Sequence, residues 1–111
     1  MRAGGFKVVA KPTSVNGILF PSKAEARRFH DLCILLHAKE VRWFVRQPSF
    51  DLPGGIKYRA DFLVVWDDGR VEVEDVKGFR TKEFNLKMRL MKETYPEVPI
   101  VLIGKGRKES I

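Results

Sequence analysis

A mixed α/β domain, ordered helix, three strands, helix, strand, is what this sequence predicts, and three observations predict it. Apolar residues recur at helical spacing over 22–40 and again over 81–95. Between those stretches, three β-rich runs at 41–50, 57–66 and 70–78 are divided by the turn clusters Pro53-Gly54-Gly55 and Asp67-Asp68-Gly69. Beyond Pro96, residues 98–103 are continuously apolar, the pattern of a strand covered on both faces. At 111 residues the chain is one ordinary domain with room for a single core.

Taken in order, residues 1–20 form an N-terminal arm without strong periodicity, in which Asn16-Gly17 reads as a tight turn. The first helix carries a stripe of Phe29, Leu32 and Leu36 flanked by Cys33 and Leu35, and Ser22 with Glu25 makes a capping box at its start. In the run 41–50, Pro48 cannot donate to a ladder and demotes the far end to an edge or bulge. Runs 57–66 and 70–78 pair as a hairpin around Asp67-Asp68-Gly69, which makes the three strands an antiparallel meander. The second helix places Phe84, Met88, Met91 and Tyr95 on one face, and as a crossover it delivers the last strand parallel to the third, with a right-handed connection. Residues 105–111 are expected as a mobile basic tail.

Composition narrows the classes of function. A formal net charge of +7 calls for a polyanionic partner, and the bases are spread along the chain, which suits a groove that follows a phosphate backbone. No apolar run has membrane-spanning length and no secretory pattern opens the chain, so the expected compartment is a cytoplasm, with no membrane partner. Cys33 is the single cysteine, so the core must stand without an internal disulfide. His30, Cys33 and His37 share one side of the first helix but lack a fourth ligand, and no metal is expected there.

The chemistry concentrates in Asp61 and the triplet Asp75-Val76-Lys77. Side chains alternate along a strand, so Asp75 and Lys77 share a face with Val71 and Val73, while Asp61 shares one with Leu63 and Val65. Two carboxylates suit a hard cation such as Mg2+ or Mn2+, and such a cation suits phosphodiester hydrolysis, which loads negative charge onto an anionic group. The plainer reading is a surface salt bridge across a hairpin. Glu25 has its own plain reading, since N3 of a capping box is where Glu belongs, yet it also lies in the middle of the apolar stripe, where a carboxylate needs a partner. Glu72 and Glu74 fall on the opposite face from Asp75 and read as solvated. Trp43 and Trp66 read as core or dimer contacts rather than base-stacking platforms.

Element order and motif together resemble the PD-(D/E)XK nuclease superfamily, through Tyr58-Arg59-Ala60-Asp61 and Glu74-Asp75-Val76-Lys77-Gly78. The stretch Gly17-Ile18-Leu19-Phe20-Pro21-Ser22-Lys23-Ala24-Glu25 is similar to the start of a phage-borne branch of small nucleases in that superfamily, which includes Holliday junction resolvases. Ala60 stands where the superfamily's name has proline, and Asp75 takes the D/E position with one methylene less reach than Glu. The resemblance implies a restriction-endonuclease-like αβββαβ core, a mixed sheet flanked by helices, spanning the chain as a single domain. It implies an Mg2+- or Mn2+-dependent endodeoxyribonuclease with no small-molecule cofactor, serving phage DNA recombination, repair or processing in a bacterial cytoplasm. Glu25, Asp61, Asp75 and Lys77 would be catalytic, with the cation on Asp61, Asp75, the Val76 carbonyl and Glu25, and Lys77 serving the attacking water. The substrate would be duplex, single-stranded or branched DNA, contacted by Gln47, Arg59, Arg80, Lys82 and Lys87, and junction cutting would need a homodimer. The competing expectations are an inactive nucleic-acid-binding accessory protein with the same fold and a small module that binds a host protein.

Overall fold

A computed structural model describes residues 13–15, 17–76, 80–104 and 107–110. The N-terminal arm folds in part as a hairpin of β1 (Thr13–Val15) and β2 (Ile18–Phe20), with Gly17 in the left-handed region at φ 79° where the turn demands it. Its turn partner Asn16, like residues 1–12, lies outside the described residues. Helix α1 (Lys23–His37) begins as expected, with Ser22 Oγ accepting the Glu25 amide proton at 3.1 Å. It ends earlier than its periodicity suggests, because Lys39 turns left-handed at φ 65° and the amides of Ala38, Lys39 and Glu40 close back onto the last helical turn.

Strands β3 (Val41–Arg46), β6 (Phe62–Trp66), β7 (Val71–Val76) and β8 (Ile100–Gly104) form a mixed sheet, extended by β9 (Arg107–Ser110) in the order β3-β6-β7-β8-β9. The first three are an antiparallel meander, β8 runs parallel to β7, and α2 (Lys82–Thr94) is the crossover between them. The expected hairpin turn is present, with Gly69 at φ 94°. Residues 107–110 are a correction: expected within the mobile tail, they pair antiparallel with β8.

Two of the expected long strands are each broken in two. Gln47 adopts φ 56° and Pro48 has no amide proton to give, so the chain leaves the sheet after Arg46 and forms β4 (Ser49–Asp51), which pairs with β5 (Lys57–Arg59) as a separate ribbon. Residues 57–66 are interrupted at Ala60-Asp61 for the same reason, as the chain returns from that ribbon to the main sheet.

Each face of the sheet has its own core. On one, Phe29 and Leu32 of α1 pack with Phe20, Val41, Phe62 and Val64; on the other, Phe84, Met88 and Met91 of α2 pack with Tyr58, Val73 and Leu102. Burial of each large apolar side chain contributes about 2–3 kcal/mol, so the two layers hold the helices in place. Leu36 is a second correction: it is exposed, and the last turn of α1 packs on the core through Leu35 instead. Among the described residues, no helix is long and apolar enough to cross a membrane.

Candidate active site

The site grows out of one row of the sheet. Arg46, Phe62 and Glu74 stand opposite one another on β3, β6 and β7. One residue further, just past the end of β6, the same register brings Gln47, Asp61 and Asp75 abreast. The Gln47 amide donates to the Asp61 carbonyl at 2.9 Å, and the Asp61 amide donates to the Glu74 carbonyl at 3.1 Å. The break in the chain at Ala60-Asp61 therefore brings Asp61 to the end of the sheet beside Asp75.

Each carboxylate is held by an identifiable donor. Asp61 Oδ2 accepts the Val76 amide at 2.7 Å, which ties the first acid to the backbone of the triplet carrying the second. Asp75, 2% exposed, accepts the Tyr58 hydroxyl at 2.5 Å on Oδ2. Burial, followed by the Asp75 charge and its hydrogen bond and then by Asp61, pushes the Tyr58 phenol well above its ordinary range, so it stays a donor. Sequence reasoning missed Tyr58, because what obliges its hydroxyl to find an acceptor is its burial, which only the fold shows.

Glu25 reaches the same place from α1. It is 5% exposed, and its Oε2 accepts no hydrogen bond among the described residues. Burial raises its carboxyl above the usual range and Asp75 adds to the rise, while Arg46, a hydrogen bond with Asp61, and Arg59 pull it down. Only the half of the capping box that any residue could supply is seen, the Glu25 amide donating to Ser22 Oγ, while the Glu25 carboxylate turns inward among Asp61, Asp75 and Arg46.

Asp75 and Tyr58 also line an open cleft of about 520 Å³, edged by Lys57, Arg59, Thr81 and Lys87. Lys57 is paired with Asp51 and Lys87 with Glu83, at 2.5 and 3.3 Å, leaving Arg59 the most directly presented base. Gln47 sits in the site's row, whereas Arg80 and Lys82 are exposed near the start of α2. Lys77 lies outside the described residues.

Glu74 corrects the solvated expectation. It is 0% exposed and receives a two-pronged hydrogen bond from Arg28, Nε at 2.7 Å and Nη2 at 2.6 Å, because its face of β7 is covered by α1. Glu72 is half-buried and accepts from Trp66 Nε1 at 3.0 Å, and Trp43 is exposed on β3 rather than in the core.

With this geometry in view, comparison with known proteins adds one result: a family described as a protein of unknown function, DUF1064, matches residues 6–110. The chain belongs to that family. Among curated proteins none matches this DUF1064 chain.

The donors fit a hard divalent cation in kind, being carboxylate oxygens of which one, Glu25 Oε2, is buried and has no hydrogen-bond donor among the described residues. Among the described residues, no three acidic, histidine or cysteine side chains are gathered as a ready-made ligand set in this DUF1064 chain. Mg2+ does not require one, since it is commonly held by one or two carboxylates with water and substrate phosphate completing the octahedron.

Proposed function

We propose that this chain is a metal-dependent DNA endonuclease of the PD-(D/E)XK kind. The observation that carries the reading is Glu25 Oε2, buried beside Asp61 and Asp75 at the end of the sheet and, among the described residues, without a hydrogen-bond donor. A carboxylate oxygen left so is costly, and a cation is the class of ligand that offsets the cost. The element order, an antiparallel meander joined through a crossover helix to a parallel strand, agrees with the core that the resemblance implies.

Asp61 and Asp75 would hold Mg2+ or Mn2+, with Glu25 and the Val76 carbonyl as further oxygens. When bound, the ion supplies neutralisation of charge at the scissile phosphate and a water of lowered pKa. The chain's own residues do the remaining work. Tyr58 fixes the orientation of the Asp75 carboxylate, and the Val76 amide fixes that of Asp61. Arg59 and Lys87, at the cleft that Asp75 lines, draw a phosphate backbone toward the acids. Lys77 is placed by sequence, two residues beyond Asp75, to hold the attacking water. Backbone-directed binding favours recognition of DNA structure over base sequence, and branched DNA cut by a homodimer in a phage-infected cytoplasm is the form that the resemblance suggests.

The test is cleavage of linear duplex, single-stranded and four-way DNA with Mg2+ or Mn2+ against a chelator control, by the parent protein and by Asp75→Asn. Asparagine keeps an acceptor for Tyr58 while removing the charge, so the variant should stay folded and bind DNA but lose cleavage by at least about a hundredfold. Equal cutting by D75N sinks the site assignment. DNA binding by the parent without any metal-dependent cutting would instead favour the accessory-protein reading, which the lack of a gathered ligand set already motivates.

A further inference from the structure

Helix α1 sends two charged side chains onto one row of the sheet, and the two pairs they make are unlike. Arg28 and Glu74 form a finished ion pair, two-pronged, with both contacts under 2.8 Å. One turn earlier, Glu25 faces Arg46, which stands in the same register row as Glu74 with Phe62 between them. This second pair is open: Arg46 Nη2 lies 3.9 Å from Glu25 Oε2, too far for a hydrogen bond. Among the described residues, Glu25 Oε2 accepts nothing and Arg46 Nε donates to nothing, although both atoms are buried.

What holds Arg46 at this distance is also visible. Its guanidinium carbon lies 4.5 Å from the centre of the Phe20 ring, and Phe20 is fully buried against Phe29. A planar guanidinium stacked on an aromatic face has an anchor other than the carboxylate, so it can remain near Glu25 without closing on it. That gives the stretch from Phe20 through Ser22 to Glu25 a joint purpose. One end seats the cation, the middle caps the helix, and the far end supplies the acid.

We propose that Arg46 is a resident counter-ion of the acidic site, a positioning residue that balances Glu25 in the metal-free protein and opposes a divalent cation for Glu25 Oε2. The inference rests on the metal-site reading above. It makes Arg46 a regulator of that site: the guanidinium sets how much free cation is needed to load it, and keeps the Glu25 carboxylate in place when none is bound. A simple helix-to-sheet pin, by contrast, would close as Arg28 and Glu74 do and would matter equally with and without metal.

The experiment is calorimetric titration of Mn2+ into the full chain above neutral pH, with thermal unfolding in chelator and in saturating Mn2+, for the parent, Arg46→Gln and Arg46→Lys. R46Q should bind Mn2+ about tenfold more tightly, having lost a like charge beside the ion. Its unfolding temperature should fall in chelator and be restored by Mn2+, whereas R46K, keeping the charge, should stay near the parent in both. An R46Q that unfolds in chelator but folds with Mn2+ gives the same answer. Unchanged or weaker Mn2+ binding by R46Q, or an equal loss of stability with and without metal, up to failure to fold in either, overturns the counter-ion role. A folded parent that takes up no Mn2+ identifies the metal reading as the failure, and this inference falls with it.

Discussion

At the scale of single residues, the site is governed by which oxygen has which donor. Asp61 is committed to the Val76 amide, Asp75 to Tyr58, and Glu25 Oε2 to none among the described residues. Tyr58→Phe isolates one of these terms, since the ring would keep its packing against Phe50 and Phe84 and only the hydroxyl would go. The buried Asp75 then loses a donor, at a cost of about 1–3 kcal/mol, read as a lower urea midpoint with an unchanged slope. If Y58F unfolds at the parent's midpoint, the hydroxyl is not holding the carboxylate.

Between elements, the buried two-pronged link of Arg28 to Glu74 pins α1 across β7. Glu74 is fully buried, so removing its partner strands a charge away from water. Arg28→Met should therefore cost about 3–5 kcal/mol, while the double variant R28M with Glu74→Leu should recover most of that loss, because an apolar pair no longer needs solvation. A double-mutant cycle by denaturant unfolding measures the coupling directly. A cost below about 1 kcal/mol for R28M alone, in the range of an exposed pair, would contradict the burial argument. The same elements show why pattern reading went astray at Glu74: alternation along β7 put it correctly on the face opposite Asp75, but only the packing of α1 decided that this face is interior.

For the molecule as a whole, the proposed nuclease reading, with the net charge of +7 and the bases around the cleft, predicts how DNA would be bound. With about four phosphates contacted, through Arg59, Arg80, Lys82 and Lys87, the logarithm of affinity should fall against that of salt concentration with a slope of about −3 to −4. Arg59→Ala should reduce the slope by about one and weaken binding alike on all sequences, which fluorescence anisotropy with labelled duplexes of different sequence would read. A salt-independent affinity, or a strong sequence preference lost with Arg59, would count against backbone-directed binding. The layered fold makes this arrangement workable, because the two helices cover opposite faces of the sheet and leave the strand ends carrying Asp61 and Asp75 beside the open cleft.

Local chemistry was enough to determine both helices, the crossover into β8 and the hairpin at Gly69, and with it the neighbouring chain segments that carry Asp61 and Asp75; the break that sets Asp61 at the end of the sheet was not among them. Each of these follows from periodicity, capping or turn residues within a short window, and such signals survive without knowledge of the rest of the chain. Pro48 marked where the first strand fails, but tertiary structure decided that β4 and β5 pair as a separate ribbon, the donors Tyr58 and Val76, the burial of Glu74, the fifth strand at residues 107–110, and the open pair of Glu25 with Arg46. Those depend on contacts between residues far apart in sequence, where neither propensity nor spacing carries information. Burial, which sets the cost of an unpaired charge, exists only once the helices have been laid on the sheet.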